Sequence, residues 1–266
     1  MIGENATGIG GVRLRYRIDG ASGPWIAFSN SLGCTLEMWD GQVAALAGRY
    51  RILRYDTRGH GGSAAPPGPY TLEQLADDLV GLMDHLNIDR AVLVGLSMGG
   101  MLGQHALLRA PKRFSGAMLC DTTSHYGPEA APRWADRIHL VLEQGLAPIA
   151  ATAHERWFTP GFPERHPAIV RRYAEMAGGN DAQGYAACCA AIPQISVTER
   201  LPEIRVPVRV VVGKQDLSTT VEHAQHIVDN LPGSDLVVID QAAHLSNVEQ
   251  PEAFNRALIE FLDRIP

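Results

Sequence analysis

Residues 91–100 read AVLVGLSMGG, and this stretch decides the fold. A run of β-favouring apolar residues stops at Gly95. Ser97 follows, flanked by Leu96 and Met98, then Gly99 and Gly100, and residues 101–108 carry a helical pattern. The pattern is Gly-x-Ser-x-Gly at a strand-to-helix junction, the arrangement of a nucleophile elbow. A serine hydroxyl is a weak nucleophile until a base takes its proton, so the turn must lift it clear of the sheet. Such a turn is sharp and strained, and glycines at 95 and 99 leave room for it. The helix start behind Ser97 offers free amides and a positive dipole end where an oxyanion would form. Chance occurrence in a glycine-rich chain is the plain alternative; the strand before and the helix after Ser97 argue against it.

Outward from the elbow, apolar strands alternate with helical patterns. Residues 5–9 and 12–18 read as two strands joined at Gly10-Gly11, the second alternating apolar and polar as a half-exposed strand does. Residues 25–29 form a short buried strand that ends in Asn30-Ser31-Leu32-Gly33, ahead of a helical segment around 38–46. Residues 51–55 form another strand, which runs into the glycine-rich loop Asp56 to Ser63. That loop lacks the Gly-Lys-Ser/Thr ending of a phosphate cradle and reads as structural. Thr71 caps a helix over 72–86 with apolar residues at helical spacing. A strand over 114–120 ends at Asp121. Residues 208–212 and 236–239 read as further strands, and 221–230 and 251–262 as helices. Alternation of this kind predicts an α/β fold: a mostly parallel central sheet covered by helices on both faces. From 122 to 200 the pattern is helical with no convincing strand. The expected organisation is a core of 1–121 and 201–266 with an inserted helical cap over 122–200.

Composition narrows the function. With 45% hydrophobic and 20% charged residues the chain has an ordinary globular balance and enough apolar mass for a large core. A net charge of −6 without any basic block argues against nucleic acid. No apolar run approaches spanning length, which argues against a membrane partner. The start MIGENATGIGG has neither the basic nor the apolar region of a signal peptide. Cys34, Cys120, Cys188 and Cys189 fit no metal spacing, and the simplest home for them is a reducing cytoplasm.

A serine nucleophile needs a base and a group to orient it, and in open α/β sheets both belong in loops at the carboxyl ends of strands. Of ten histidines, His85 and His105 fall within helices, and His223 and His226 lie on the helix after Asp216, where they read as solvated. His154 lacks the second histidine of a helical zinc motif. His139 and His166 lie in the insertion, His60 in the glycine loop, and His125 far from the last strand-helix unit. His244, in IDQAAHLSNVEQP, follows a strand and precedes the final helix, as a base arriving from the C-terminal side should. For the acid, Asp216 and Asp121 both follow strands, while Asp240 shares the loop of His244 and is less suited. The oxyanion requires two amides: Met98, next after the nucleophile, and one from the loop after 25–29, where Leu32 is the best choice. Such chemistry requires no metal or organic cofactor.

Taken together, the chain resembles the α/β-hydrolase superfamily over nearly its whole length. The Asp56–Ser63 loop, GLSMGG, GKQD and AAHLSNVEQP carry the likeness. Asp216, which also gives the superfamily's order of nucleophile, acid and base, is favoured over Asp121. More narrowly it looks like the 3-oxoadipate enol-lactonases, through SNSLGCTLEMWDGQ, RYDTRGHGGSAAPPGPYTLEQLADDL and HLSNVEQPEAFN; Asn30-Ser31 stands where many relatives carry His-Gly. The resemblance implies hydrolysis of 3-oxoadipate enol-lactone to 3-oxoadipate, in bacterial breakdown of aromatic acids. That partner is a small lactone with a free carboxylate. The segment APRWADRIH sets Arg133 and Arg137 four residues apart on one helical face with Trp134 between them. One arginine is expected to read the carboxylate and Trp134 to pack on the ring; a solvated arginine pair and an anchoring tryptophan are the plain alternative. Competing readings are a general carboxylesterase or perhydrolase, a carbon–carbon bond hydrolase, and a ligand receptor that keeps its triad. A haloalkane dehalogenase is disfavoured, since its elbow carries an aspartate.

Overall fold

The structure, a computed structural model, describes residues 4–265. Met1, Ile2 and Gly3, which open the stretch assessed above for a signal peptide, and Pro266, the last residue of the expected core, lie outside the described residues. Eight strands, β1 (Glu4–Ile9), β2 (Val12–Asp19), β3 (Trp25–Ser29), β4 (Arg51–Tyr55), β5 (Ala91–Leu96), β6 (Phe114–Cys120), β7 (Val208–Gly213) and β8 (Asp235–Ile239), make one sheet in the order β1-β2-β4-β3-β5-β6-β7-β8. Strands β1, β2 and β4 pair antiparallel; every pairing from β4 through β8 is parallel. Burial follows the sequence pattern. The alternating β2 buries every second residue over most of its length, whereas the continuous apolar run of β5 and the mostly apolar β7, its Arg209 included, are buried throughout.

The helices in chain order are α1 (Asp40–Leu46), α2 (Leu72–His85), α3 (Met98–Arg109), α4 (Ala130–Gln144), α5 (Ala147–Trp157), α6 (Phe162–Arg165), α7 (Pro167–Gly178), α8 (Ala182–Ala191), α9 (Val221–Asn230), α10 (Ser246–Glu249) and α11 (Pro251–Leu262). Successive residues of a strand point to opposite faces. Ala27 accordingly joins the core of Leu75, Leu79 and Leu102 from α2 and α3, while Ile26 and Phe28 join that of Leu46, Phe254 and Leu258 from α1 and α11. Thr71 starts α2 with a reciprocal cap: its Oγ1 accepts from Gln74 N and its own N donates to Gln74 Oε1. The helical segment expected at 38–46 begins earlier, as a 3₁₀ turn at Leu36–Trp39 that leads into α1.

Between β6 and β7 the chain forms α4 to α8, and outside the named strands the region has a single isolated bridge, His125 to Ser196. Helix α4 packs on α8, and α5 on α7. Helix α8 is anchored to the core through the glycine loop. A Cβ built on Gly184 would lie 2.3 Å from Gly59 Cα, so the two backbones touch where neither tolerates a side chain. The glycines of that loop serve packing. Gly184→Ala is therefore expected to cost about 1–3 kcal/mol by overpacking and to lower Tm by several degrees. Gly41→Ala, placed in α1 where a Cβ meets open space, should leave Tm unchanged or slightly raised. Thermal unfolding of the two variants beside the parent checks both.

Candidate active site

Ser97 stands between β5 and α3 with φ 57° and ψ −116°, in the left-handed half of backbone space. For a residue with a side chain this costs about 1–3 kcal/mol and persists only when the surroundings impose it. They do. Ser97 N donates to Cys120 O at 2.9 Å, Thr122 Oγ1 donates to Ser97 O at 2.8 Å, and Gly100 N and Met101 N close the first turn of α3 onto the same carbonyl. The flanking glycines are obligatory: a Cβ on Gly95 would lie 2.3 Å from Gly99 O, and one on Gly99 2.2 Å from Ser29 O.

His244 arrives from the loop after β8 and Asp216 from the loop after β7. His244 Nε2 is 2.9 Å from Ser97 Oγ, and Nδ1 is 2.7 Å from Asp216 Oδ2. A carboxylate at Nδ1 keeps the proton there and leaves the Nε2 lone pair facing the hydroxyl. Asp216 is itself oriented, its Oδ1 accepting from Ser218 N and Thr219 N and its Oδ2 from Thr219 Oγ1. All three side chains are buried. Burial pushes the His244 imidazole down, but the Asp216 charge and hydrogen bond outweigh it, and the net shift is upward from the ordinary 6.5. Burial raises Asp216, and the His244 charge with these hydrogen bonds brings it to a net value below the usual carboxylate range. The structure thus sets Asp216 against the imidazole. The rival Asp121 turns instead to Gly213 N and Ser246 Oγ, and Asp240 pairs with Lys214 at the surface. His223, read from sequence as solvated, is half-buried: it accepts from Thr220 N at the start of α9 and meets Tyr126 edge-on.

The loop after β3 is held from both sides. Asn30 is buried and spends its amide on scaffold, donating to Tyr55 O and accepting from Trp39 Nε1. Ser31 N points to Met38 Sδ and Gly33 N to His60 Nε2, while Leu32, between them, lines the cavity beside Ser97. His60 can accept because burial pushes its imidazole down to about 4, keeping it neutral. In sequence His60 was only one residue of a structural loop; its link to the Leu32 loop crosses 27 positions that carry no pattern between them. Met98 is the first residue of α3.

Above Ser97 lies a cavity of about 210 Å³, smaller than the ~300–1,000 Å³ usual for larger ligands, and so suited to a small molecule. Arg133, Trp134 and Arg137 all line it. The Arg137 guanidinium lies 4.9 Å over the Trp134 ring, and Trp134 Nε1 is a buried donor without an acceptor among the described residues. Two further charged residues on the wall, Glu155 and Arg156, escaped the sequence reading. They belong to α5, whose inward face is set by packing on α7. Burial and the nearby Arg137 charge lower the pKa of Arg156. Among the described residues none of the three cavity arginines has a carboxylate partner within ion-pair distance. Three cations against one Glu155 make the wall net positive.

The cavity roof is fastened to the histidine loop. Leu245 N donates to Trp157 O at 3.0 Å, and Glu249 accepts from Ala243 N and Thr159 N, bracketing His244 on both sides. No helix among the described residues is long and apolar enough to cross a membrane.

Comparison with known proteins agrees with this geometry. The family model for the alpha/beta hydrolase fold matches residues 24–251. The chain is 44% identical to 3-oxoadipate enol-lactonase 2 of Acinetobacter baylyi over 95% of its own length and 94% of that protein. Among solved structures, the enol-lactonase from Burkholderia xenovorans LB400 superposes with a TM-score of 0.94 at 40% identity, covering 98% of this chain and all of that one. A malate-bound thermophilic esterase from Thermogutta terrifontis gives 0.92 at 29% identity, covering 98% of this chain and 99% of its own. The protein belongs to the α/β-hydrolase fold family, and it is similar to the 3-oxoadipate enol-lactonases in sequence and in structure.

Proposed function

We propose that the protein hydrolyses 3-oxoadipate enol-lactone to 3-oxoadipate through an acyl-enzyme on Ser97. The observation that carries this reading is the unbroken Ser97–His244–Asp216 hydrogen-bond chain opening into a small, net-cationic cavity. The enol-lactonase relatives support the substrate. Residues 122–200 act as the cap that completes the cavity, and Leu32 N and Met98 N form the oxyanion hole. No nucleic acid takes part. Four buried, unpaired thiols support a reducing cytoplasm as the setting.

In this mechanism His244 Nε2 takes the hydroxyl proton as Ser97 Oγ attacks the lactone carbonyl, and the oxyanion is held by the two amides. The ring C–O bond breaks, and the departing enolate oxygen receives the proton from His244. The enol relaxes to the ketone. Water, deprotonated by the same imidazole, attacks the acyl carbon and frees Ser97 with a second carboxylate on the product. Asp216 orients the ring and balances its charge in both halves. Arg133, Arg137 and Arg156 supply the positive field for the carboxylate the substrate already carries, and the Trp134 Nε1 donor is available to a ligand oxygen.

A general carboxylesterase is the second reading, favoured by the likeness to the Thermogutta esterase. Higher kcat/KM on a neutral aryl ester than on the enol-lactone would decide for it. Ser97→Ala should fold normally and lose at least ~10⁴-fold in kcat on the lactone, measured by loss of its ultraviolet absorbance. Persistent turnover would remove the acyl-enzyme. Because the base works only when neutral, and Asp216 holds His244 above 6.5, kcat/KM should rise with pH through a midpoint above 6.5. Asp216→Asn removes the charge that favours the imidazolium and should move that midpoint to lower pH while depressing kcat. Replacing Arg133, Arg137 and Arg156 singly by Gln should raise KM for the lactone by about tenfold at the arginine that grips the carboxylate and leave a neutral ester within about twofold. Equal effects on both substrates at all three positions would reject carboxylate recognition.

A further inference from the structure

The junction Cys120-Asp121-Thr122, where β6 ends, touches all three loops that bring the reacting side chains together. Cys120 O accepts from Ser97 N, and Thr122 Oγ1 donates to Ser97 O, so the elbow is gripped on both sides of Ser97. Asp121 N donates to Val211 O in β7. The Asp121 carboxylate then reaches further: Oδ1 accepts from Gly213 N at 2.8 Å, and Oδ2 is bonded to Ser246 Oγ at 2.5 Å. Gly213 is linked onward, its carbonyl accepting from Asp216 N at 3.0 Å. Ser246 lies two residues beyond His244. Asp121 is completely buried and adopts φ 44°, the left-handed region that Asp and Asn tolerate better than most side chains.

We propose that Asp121 is a positioning residue for the hydrolysis: its carboxylate bolts the acid loop to the histidine loop, and that bolt holds His244 between Asp216 and Ser97. The inference rests on the reading of Ser97, His244 and Asp216 as the catalytic triad. Charge supports it. The titratable groups facing Asp121 are Asp216, His244 and Cys120, and those facing His244 are Asp216, Asp121 and Arg156. Burial and the Asp216 charge push Asp121 up to about 8, while Asp216 falls below the usual range. Burial thus favours placing the negative charge on Asp216, where the imidazolium needs it. Asp121 supplies geometry and exerts a weaker pull on the imidazolium than Asp216 does.

The test compares Asp121→Ala with Asp121→Asn, because both are uncharged and only asparagine keeps the size and hydrogen-bonding groups of the parent side chain. Asparagine keeps an acceptor for Gly213 N and a polar partner for Ser246; alanine keeps neither. Asp121→Ala should lower kcat on the lactone about ten- to a hundredfold with KM within about twofold, the scale expected when catalytic groups shift by an ångström or less. Its kcat/KM midpoint should move to lower pH as Asp216 loses its hold on His244. Asp121→Asn should recover most of the kcat and most of the midpoint. A folded Asp121→Ala with parental kcat and midpoint overturns the proposal, and so does equal impairment of the two variants, which would make charge the operative property. If Asp121→Ala does not fold, Ser246→Ala decides. It cuts only the bond to the histidine loop and should lower kcat and the midpoint in the same direction; parental values for both overturn the proposal. Ser97→Ala measured alongside separates the two readings. An inert Ser97→Ala with a fully active Asp121→Ala sinks this inference alone, whereas an active Ser97→Ala sinks the triad beneath it.

Discussion

One residue held in a costly conformation governs the architecture. Ser97 occupies the left-handed region because β5 stops and α3 starts within a single peptide, and this junction exists only because Gly95 and Gly99 let neighbouring backbones approach to distances a Cβ would forbid. The strain is offset by hydrogen bonds at Ser97 N and O from the end of β6 and from the first turn of α3. Those bonds require β6 beside β5, which the parallel sheet provides. The position of the hydroxyl is thus a consequence of sheet order.

Electrostatics refines what the backbone positions. His244 is pulled in two directions: burial and the Arg156 charge favour the neutral ring, while Asp216 favours the cation. A base must accept a proton readily and release it again in each half of the cycle, so neither tendency can dominate. The cavity arginines have a double consequence. They give the cavity wall its net positive charge, and Arg156 adds a small bias towards the neutral imidazole. The same residues would be costly in a closed apolar core, where cations without carboxylates are rarely buried.

Much of the fold was legible because period-2 and period-3.6 patterns survive in a single chain. The fully buried β5 reads as an unbroken apolar run and β7 as one interrupted only by Arg209, β2 as an alternating one, and Thr71 announces α2 through its cap. Position after a strand pointed to His244, Asp216 and Asp121 alike. Local pattern does not say which of two aspartates meets an imidazole, since that depends on which way a side chain turns at φ 44°. Arg156 and Glu155 were illegible for a related reason: the inward face of α5 is set by α7 and the histidine loop, contacts between segments without common periodicity. His60 shows the same limit, its burial and its bond to Gly33 N being properties of the assembled loops.

The cavity wall and the histidine loop share one frame in this molecule. Arg156 precedes Trp157, whose carbonyl receives Leu245 N, the amide next to His244. Thr159, two residues on, bonds Glu249, which also takes Ala243 N on the other side of His244. A displacement of α5 would therefore move the cavity arginine and the imidazole together. The roof is thus fastened at the histidine loop, whereas the outer face of α4, which carries Arg133 and Arg137, is largely exposed.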